Sequence, residues 1–298
     1  MPTLIIGSGF VGSALAQRIV DTGGEAILAS RNPPAAGFPW TPLDVTDRDA
    51  CAKAIETTQC DALVLVHGPS DVTWCNQNPD EALRGHETAA RNIAGVAGDR
   101  RIVMISTDNV FDGTAAAPDE DAPTNPGNAY GIAKLAAERA IAQASNAISL
   151  RVSLIYGWEP ADSTKWLNFF ASCAHRLVAG ESITVPYDQW TTPVLLDDVA
   201  AVTAALLVAP SVPPLLHLAG PERISRAAWA TIIADRLGVA PDLVVFEPKA
   251  NGRYASRPTN SCLGSRLLAE HPSTKGIPVR GARDGATLLL TSTVLTRS

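Results

Sequence analysis

The chain has 298 residues, room for one large α/β domain or for such a domain with a smaller lobe. It is 46% hydrophobic and 18% charged, the composition of an ordinary soluble globular protein. A net charge of −6, with basic residues dispersed, gives no footprint for nucleic acid or an anionic membrane; nor does any apolar run approach the roughly 20 residues of a membrane helix. The opening MPTLIIGSGF has no charged leader region and turns at once into a strand–glycine pattern, so a signal peptide is not expected. The five cysteines (Cys51, Cys60, Cys75, Cys173, Cys262) include no CxxC pair, which favours inert thiols in a reducing cytoplasm.

In chain order, short apolar runs at Thr3–Ile6, Glu25–Ala29, Ala62–Val66, Ile102–Ile105 and Ile148–Val152 predict strands. Helical patterns fit between them, most clearly at Val11–Asp21, Asp80–Ala97 and Ala129–Gln143. This alternation is that of βαβ units, and the continuous apolar character of the strands predicts a parallel sheet covered on both faces. Further on, Trp166–Ala179 and Leu196–Val208 read as helices and Leu215–Leu218 as a strand. Ser225 is a natural cap for a helix that stops at Gly238. Proline-rich joints at Pro210–Pro214 and Pro221 suggest crossings between two lobes. The expected architecture is a Rossmann-type doubly wound α/β sheet with a smaller C-terminal substrate lobe. Residues 1–155 with about 190–218 form the first part, and residues 156–189 with 219–298 the second. The stretch Gly281–Ser298 carries no clear signal.

The first strand leads into Gly7, Gly9 and Gly12 of a GxGxxG pattern, with Phe10 and Val11 opening the following helix. Glycine suits a tight turn, a close approach of backbone to a pyrophosphate, and close helix–strand packing; the helix N-terminus offers its free N–H groups to the phosphates. An NAD enzyme would place a carboxylate at the end of the second strand. Here that strand ends in Ser30–Arg31–Asn32, and a hydroxyl followed by a guanidinium suits the 2′-phosphate of NADPH over NADH. The competing reading of Arg31 is a solvated loop residue. Asp44, before Val45, fits either the adenine edge or a helix cap.

The fourth strand runs into Ser106–Thr107–Asp108, and Tyr130 and Lys134 follow at the start of a helix. A spacing of four puts Tyr130 and Lys134 on one helical face. Tyrosine ionises near pH 10, and a neighbouring ammonium is expected to lower that value towards neutrality, where acid–base catalysis works best. Thr107, at a strand's carboxyl end, is placed to hydrogen-bond a carbonyl oxygen beside Tyr130. The five histidines show neither HxH nor HExxH spacing, so no metal centre is expected. Trp158 and Trp190 suit packing better than stacking on a ligand.

GSGFVG, STDNVFDG, YGIAKLAAE, LRVSLIYG and RPTNSCLGSRLL, in this order, resemble the dTDP-4-dehydrorhamnose reductase family of extended short-chain dehydrogenases, over roughly residues 3–270. The resemblance implies an NADPH-dependent reduction of a keto group on a nucleotide sugar, with Thr107, Tyr130 and Lys134 as the catalytic set and Lys134 also on the nicotinamide ribose. Several positions depart from the family pattern. His67 and Gly68, expected beside the cofactor, replace an Asn-Ala run, and His86 replaces a helical asparagine. Asn109 and Leu154 stand where the family presents Tyr and Trp to its sugar, and Gly264 where an aspartate is expected. Asp108, Asn109, Leu154 and Arg257 are the expected substrate contacts; an ion pair is the other reading of Arg257. The alternatives are an epimerase or dehydratase that keeps NAD bound, and a non-catalytic regulatory subunit like that of methionine adenosyltransferase. Asn109 argues against dehydration, and retention of the Thr–Tyr–Lys set favours an enzyme. A homo-oligomer is compatible with the sequence.

Overall fold

A computed structural model describes the chain except residues 36, 162–166, 253 and 293–298. The first half runs β1 (Pro2–Ile6), α1 (Phe10–Asp21), β2 (Glu25–Ser30), β3 (Trp40–Pro42), α2 (Arg48–Thr58) and β4 (Ala62–Leu65). There follow α3 (Val72–Gln77), α4 (Pro79–Leu83), a π-helical turn at Arg84–Thr88, α5 (Ala89–Val96), β5 (Arg101–Thr107), α6 (Ala129–Ile141) and β6 (Ala147–Val152). After β7 (Ile155–Tyr156) come α7 (Phe169–Val178), β8 (Ile183–Pro186), β9 (Trp190–Thr191), β10 (Val194–Leu195), α8 (Leu196–Val208) and β11 (Leu215–Leu218). The chain closes with β12 (Ile224–Ser225), α9 (Arg226–Leu237), β13 (Val244–Glu247), β14 (Asn260–Ser261), α10 (Arg266–Glu270) and α11 (Ala282–Ser292).

Seven strands form one sheet in the order β11-β6-β5-β4-β1-β2-β3, every neighbouring pair parallel. The order reverses between β1 and β4, where doubly wound sheets open a ligand crevice at the strands' carboxyl ends. Along β1 the side chains alternate between two buried layers: Leu4 and Ile6 join Leu63 and Ile93 on one face, while Ile5 joins Leu15, Val64 and Val199 on the other. Burial on both faces is the physical reason the strands read as unbroken apolar runs.

The expected strands are all present. The short edge strand β3 escapes the pattern because it has three residues and ends in proline, as sheet edges often do. Helix α2, capped by Asp47, also went unmarked by the sequence. The single helix expected over Asp80–Ala97 is instead α4, a π turn and α5. That turn brings His86 against the backbone of Gly68, where an added Cβ would lie 2.3 Å from the imidazole. The helix expected from Trp166 begins at Phe169, and Trp166 lies outside the described residues.

A separate apolar cluster gathers Tyr156, Phe169, Phe170, Trp229 and Ile233 around α7 and α9. Ser225 caps α9, its Oγ accepting from the Ala228 amide at 3.1 Å, and Gly238 ends it at φ 65°. Helix α11 accounts for most of the C-terminal stretch and sends Ala282, Ala286 and Leu289 into this cluster. Leu268, Ile277 and Val279 pack on the sheet instead, so the late chain serves both cores.

One buried ion pair ties the helix that carries Tyr130 to the sheet. Arg151 on β6 donates to Glu138 on α6 through Nη2 at 2.7 Å and Nε at 3.0 Å, and the Ser106 hydroxyl of β5 donates to the same carboxylate. Both charged side chains are under one-tenth exposed. Removing one partner of such a pair strands the other charge in low dielectric. Glu138→Ala is therefore expected to cost about 3–5 kcal/mol of unfolding free energy in a urea titration. A loss below about 1 kcal/mol would show that the pair does not hold α6 in place.

Candidate active site

The glycine loop is built for a close approach. Gly7 has φ 116°, a left-handed value that strains any residue with a Cβ, and a Cβ on Gly12 would sit 1.8 Å from the Gly7 carbonyl oxygen. Helix α1 starts at Phe10 without a side-chain cap, leaving its first N–H groups open towards the sheet's carboxyl edge. Phe10 itself lies near Gly157, where a Cβ would meet its Cζ at 3.0 Å, and Val11 packs on the sheet. At the end of β2 the Ser30 hydroxyl accepts from Ser8 Oγ at 2.8 Å and Trp40 Nε1 at 3.0 Å, and donates to the Asn32 carbonyl at 2.7 Å. That uses the full capacity of the hydroxyl. Arg31 is exposed and close enough to Asp44 to help hold that carboxyl below its usual range. The larger cause is Thr46, whose hydroxyl and amide both donate to Asp44; the cap of α2 is Asp47, not Asp44. The Val45 carbonyl accepts from Asn92 Nδ2 at 3.1 Å.

Beyond β4 stand two imidazoles. His86 Nε2 lies 2.9 Å from the Pro69 carbonyl and its Nδ1 is shielded without a partner, while both ring nitrogens of His67 are shielded and the ring lies near the Gly85 backbone. The rings are 6.2 Å apart, and His86 meets the Tyr130 ring edge-on at 5.7 Å. Burial, reinforced by the nearby Lys134 ammonium, lowers both: His67 to about 3, His86 well below its usual value. Both are neutral at physiological pH, and shielded ring nitrogens beside a glycine-lined crevice suit a polar ligand.

Thr107, Tyr130 and Lys134 converge as the sequence predicts, but Lys134 does not act on Tyr130 as expected. Lys134 Nζ donates to the Ile105 carbonyl at 2.6 Å, and burial lowers its pKa to about 8. Tyr130 is pushed up from its ordinary value, first by burial and then by the Asp108 carboxylate, against a hydrogen bond with Thr107. The expected lowering of the phenol towards neutrality is thus absent from this arrangement; the phenol holds its proton. Asn128 caps α6 through the Gly131 amide at 2.8 Å and donates to Asn109 Oδ1 at 2.9 Å. Asn109 Nδ2 donates in turn to Asp108 at 2.7 Å and to Thr107 Oγ1 at 3.2 Å. Its amide is occupied in orienting its neighbours.

Asp108 is buried, and burial raises its carboxyl to about 6 despite hydrogen bonds from Thr107, Asn109 and Ser153. Its folded pKa lies above its unfolded one, so the folded protein binds the extra proton between about pH 6 and 3.8 and gains stability as pH falls through that window. Lys134 works in the opposite direction: its penalty is present below about pH 8 and relieved as pH rises towards 10.5. Asp108→Asn should therefore stabilise the protein at pH 7.5, with the advantage shrinking by pH 4.5, in parallel urea titrations. An advantage that grows towards acid would reverse the sign and refute a raised carboxyl.

Of the other expected substrate contacts, Leu154 is half-buried against the α7–α9 cluster. The Arg257 guanidinium lies 5.5 Å from the centre of the Tyr254 ring. Ser153, Asn128, Glu138 and Arg226 were not foreseen. Asn128 carried a readable signal, a capping residue just before a helix; the others are recognisable only once distant strands meet. A cavity of about 480 Å³ lined by Thr192, Arg223, Leu263 and Ile277, among others, contains none of the catalytic candidates.

A doubly wound sheet with a glycine loop at its switch point, and a Thr–Tyr–Lys set at the carboxyl end of β5, define a dinucleotide-binding α/β protein. The chain belongs to the RmlD substrate binding domain family, whose sequence model matches residues 1–290. It is 30% identical over 263 residues to the probable low-salt glycan biosynthesis reductase Agl14 of Haloferax volcanii, covering 86% of this chain and 87% of that protein. It is 27% identical over 248 residues to methionine adenosyltransferase 2 subunit beta of Danio rerio, covering 80% and 76%. The crystal structure of dTDP-4-dehydrorhamnose reductase from Bacillus anthracis in complex with NADP superposes with a TM-score of 0.79 over 98% of this chain and 99% of that one, at 21% identity, which speaks to the fold. Among the described residues no helix is long and apolar enough to cross a membrane.

Proposed function

We propose that the protein is an NADPH-dependent reductase of a keto group on a nucleotide-activated sugar. The carrying observation is the meeting of Thr107, Tyr130 and Lys134 at the end of β5, with a phenol that keeps its proton. Reduction needs such a group, since the alkoxide formed when a carbonyl is reduced must be protonated. The glycine cradle, the shielded nitrogens of His67, and Arg31 at the end of a strand without a terminal carboxylate fit the cofactor. Gly7, Gly9, Gly12 and the α1 N-terminus would hold its pyrophosphate, Arg31 its 2′-phosphate, and His67, Gly68 and Lys134 its nicotinamide end. NADPH, when bound, supplies the hydride. Thr107 positions the carbonyl oxygen and Tyr130 delivers the proton to it. The sheet with residues 190–218 serves as the cofactor domain, and residues 156–189 with 219–298 as the substrate lobe. The similarity to a methionine adenosyltransferase subunit favours a second reading, an NADP-binding regulatory protein without turnover.

Tyr130→Phe is expected to lower kcat by about 10²–10⁴-fold with keto-sugar nucleotides while leaving NADPH affinity nearly unchanged. Retention of more than half the rate would remove Tyr130 from the chemistry, and tight NADPH binding with no turnover of any keto sugar would favour the regulatory reading.

Arg31→Ala should weaken NADPH binding by about 1.5–3 kcal/mol in a calorimetric titration and leave NADH almost untouched. Equal losses for the two cofactors would make Arg31 a structural residue.

A further inference from the structure

Arg226 opens α9 immediately after its cap, and the side chain is only 4% exposed. The guanidinium lies against two rings, 4.5 Å from the centre of Phe169 and 5.2 Å from that of Tyr254. Among the described residues it forms no ion pair and no side-chain hydrogen bond, and its Nε is shielded without any partner. Among the described residues the two terminal nitrogens also make no hydrogen bond. A buried cation normally demands a carboxylate, because desolvation costs several kcal/mol that ring faces offset only in part. Burial lowers Arg226 to about 10; the neighbouring Arg257 adds to the fall, while Tyr254, Cys173 and Asp108 oppose it.

The position of this cation relative to the chemistry is set by the small sheet β12-β9-β14. Ser225 pairs with Trp190 and Ser261 with Thr191, and the Arg226 amide donates to the Gln189 carbonyl at 3.0 Å. Ser153 Oγ, on the sheet side, lies 3.2 Å from Thr191 Oγ1 and 3.3 Å from Asp108 Oδ2. The cation thus stands behind Asp108, one residue from the catalytic Thr107. Gln189 adds a second unsatisfied group, a buried Oε1 with no donor.

We propose that Arg226 is the receptor for an oxyanionic group, a carboxylate or a phosphate, that the substrate carries close to its reacting end. The planar guanidinium, held between two rings, presents forked donors that match two oxygens of such a group. The inference rests on the nucleotide-sugar reading and narrows it. The anion is either a carboxylate on the sugar ring or the diphosphate that links sugar to nucleoside.

The test uses NADPH-loaded full-length protein, wild type, Arg226→Met and Arg226→Lys, titrated calorimetrically with UDP-glucose, UDP-glucuronate and dTDP. Melting temperatures are recorded without ligand. Because Arg226→Met removes a buried charge that makes no direct ion pair among the described residues and keeps an apolar stem against the rings, its ligand-free melting temperature should equal or exceed that of wild type. Affinity should fall by about tenfold or more, with Arg226→Lys in between. A loss confined to UDP-glucuronate assigns the site to a ring carboxylate, and an equal loss for all three ligands assigns it to the diphosphate. The proposal is overturned if wild type binds none of the three, if the affinities do not respond to either substitution, or if Arg226→Met melts well below wild type with unchanged affinities. Binding without turnover of keto sugars would leave the anion site standing and remove the reductase reading.

Discussion

The carboxylate of Glu138 is where α6, the helix that carries Tyr130 and Lys134, meets the sheet. It receives Arg151 from β6 and Ser106 from β5, so α6 is held against two adjacent strands by one buried group. Lys134 lies one helical turn before Glu138 and Tyr130 one turn before Lys134, on the same face. The orientation that lets Arg151 and Glu138 satisfy each other therefore also sets the height of the phenol above Thr107. The network continues outward, with Arg151 Nη1 3.3 Å from His217 Nε2 and His217 Nδ1 2.8 Å from the Gly264 carbonyl. A charge pair inside a parallel sheet is expensive to desolvate, and full hydrogen bonding is what makes it tolerable.

Around that anchor the site concentrates groups in unfavourable protonation environments. Lys134 sits buried near pH 8, Asp108 near pH 6, and His67 and His86 are neutral. Among the described residues Arg226 makes no direct ion pair. Such clustering is usual where a fold has traded stability for chemistry. Lys134 donates a hydrogen bond to the Ile105 carbonyl, and the phenol stays protonated because burial and Asp108 both act against its anion. That is the state in which the proposed reduction uses the tyrosine.

The residues that separate this chain from the pattern it resembles fall into two groups. Asn109 closes a hydrogen-bonded ring with Thr107, Asp108 and Asn128, so its amide serves the catalytic loop. His86 fills the space that the π turn opens and covers Gly68 and the edge of Tyr130. Leu154 leaves an aliphatic surface on the lobe side where the family presents an aromatic one. On the proposed reading the hydride chemistry and the shape of the sugar site are built from separate residues, and they can diverge independently.

Local rules carried much of this protein in the sequence itself. Continuous apolar runs located the strands of a sheet buried on both faces, Ser225 and Gly238 marked both ends of α9, and the glycine spacing placed the loop between the first strand and the first helix. A four-residue spacing put Tyr130 and Lys134 on one helical face. These features depend on dihedral preference and helical period, which neighbouring residues determine. Tertiary structure alone decided the rest. Strand order brought Ser106 and Arg151 to Glu138, and the π turn interrupted a helix whose apolar pattern reads as continuous. Burial reversed the expected effect of Lys134 on Tyr130, since a pKa depends on solvent exclusion and on where the ammonium points. The cation of Arg226 meets Phe169 and Tyr254 across tens of residues of chain, an encounter that only the packing of the lobe could create.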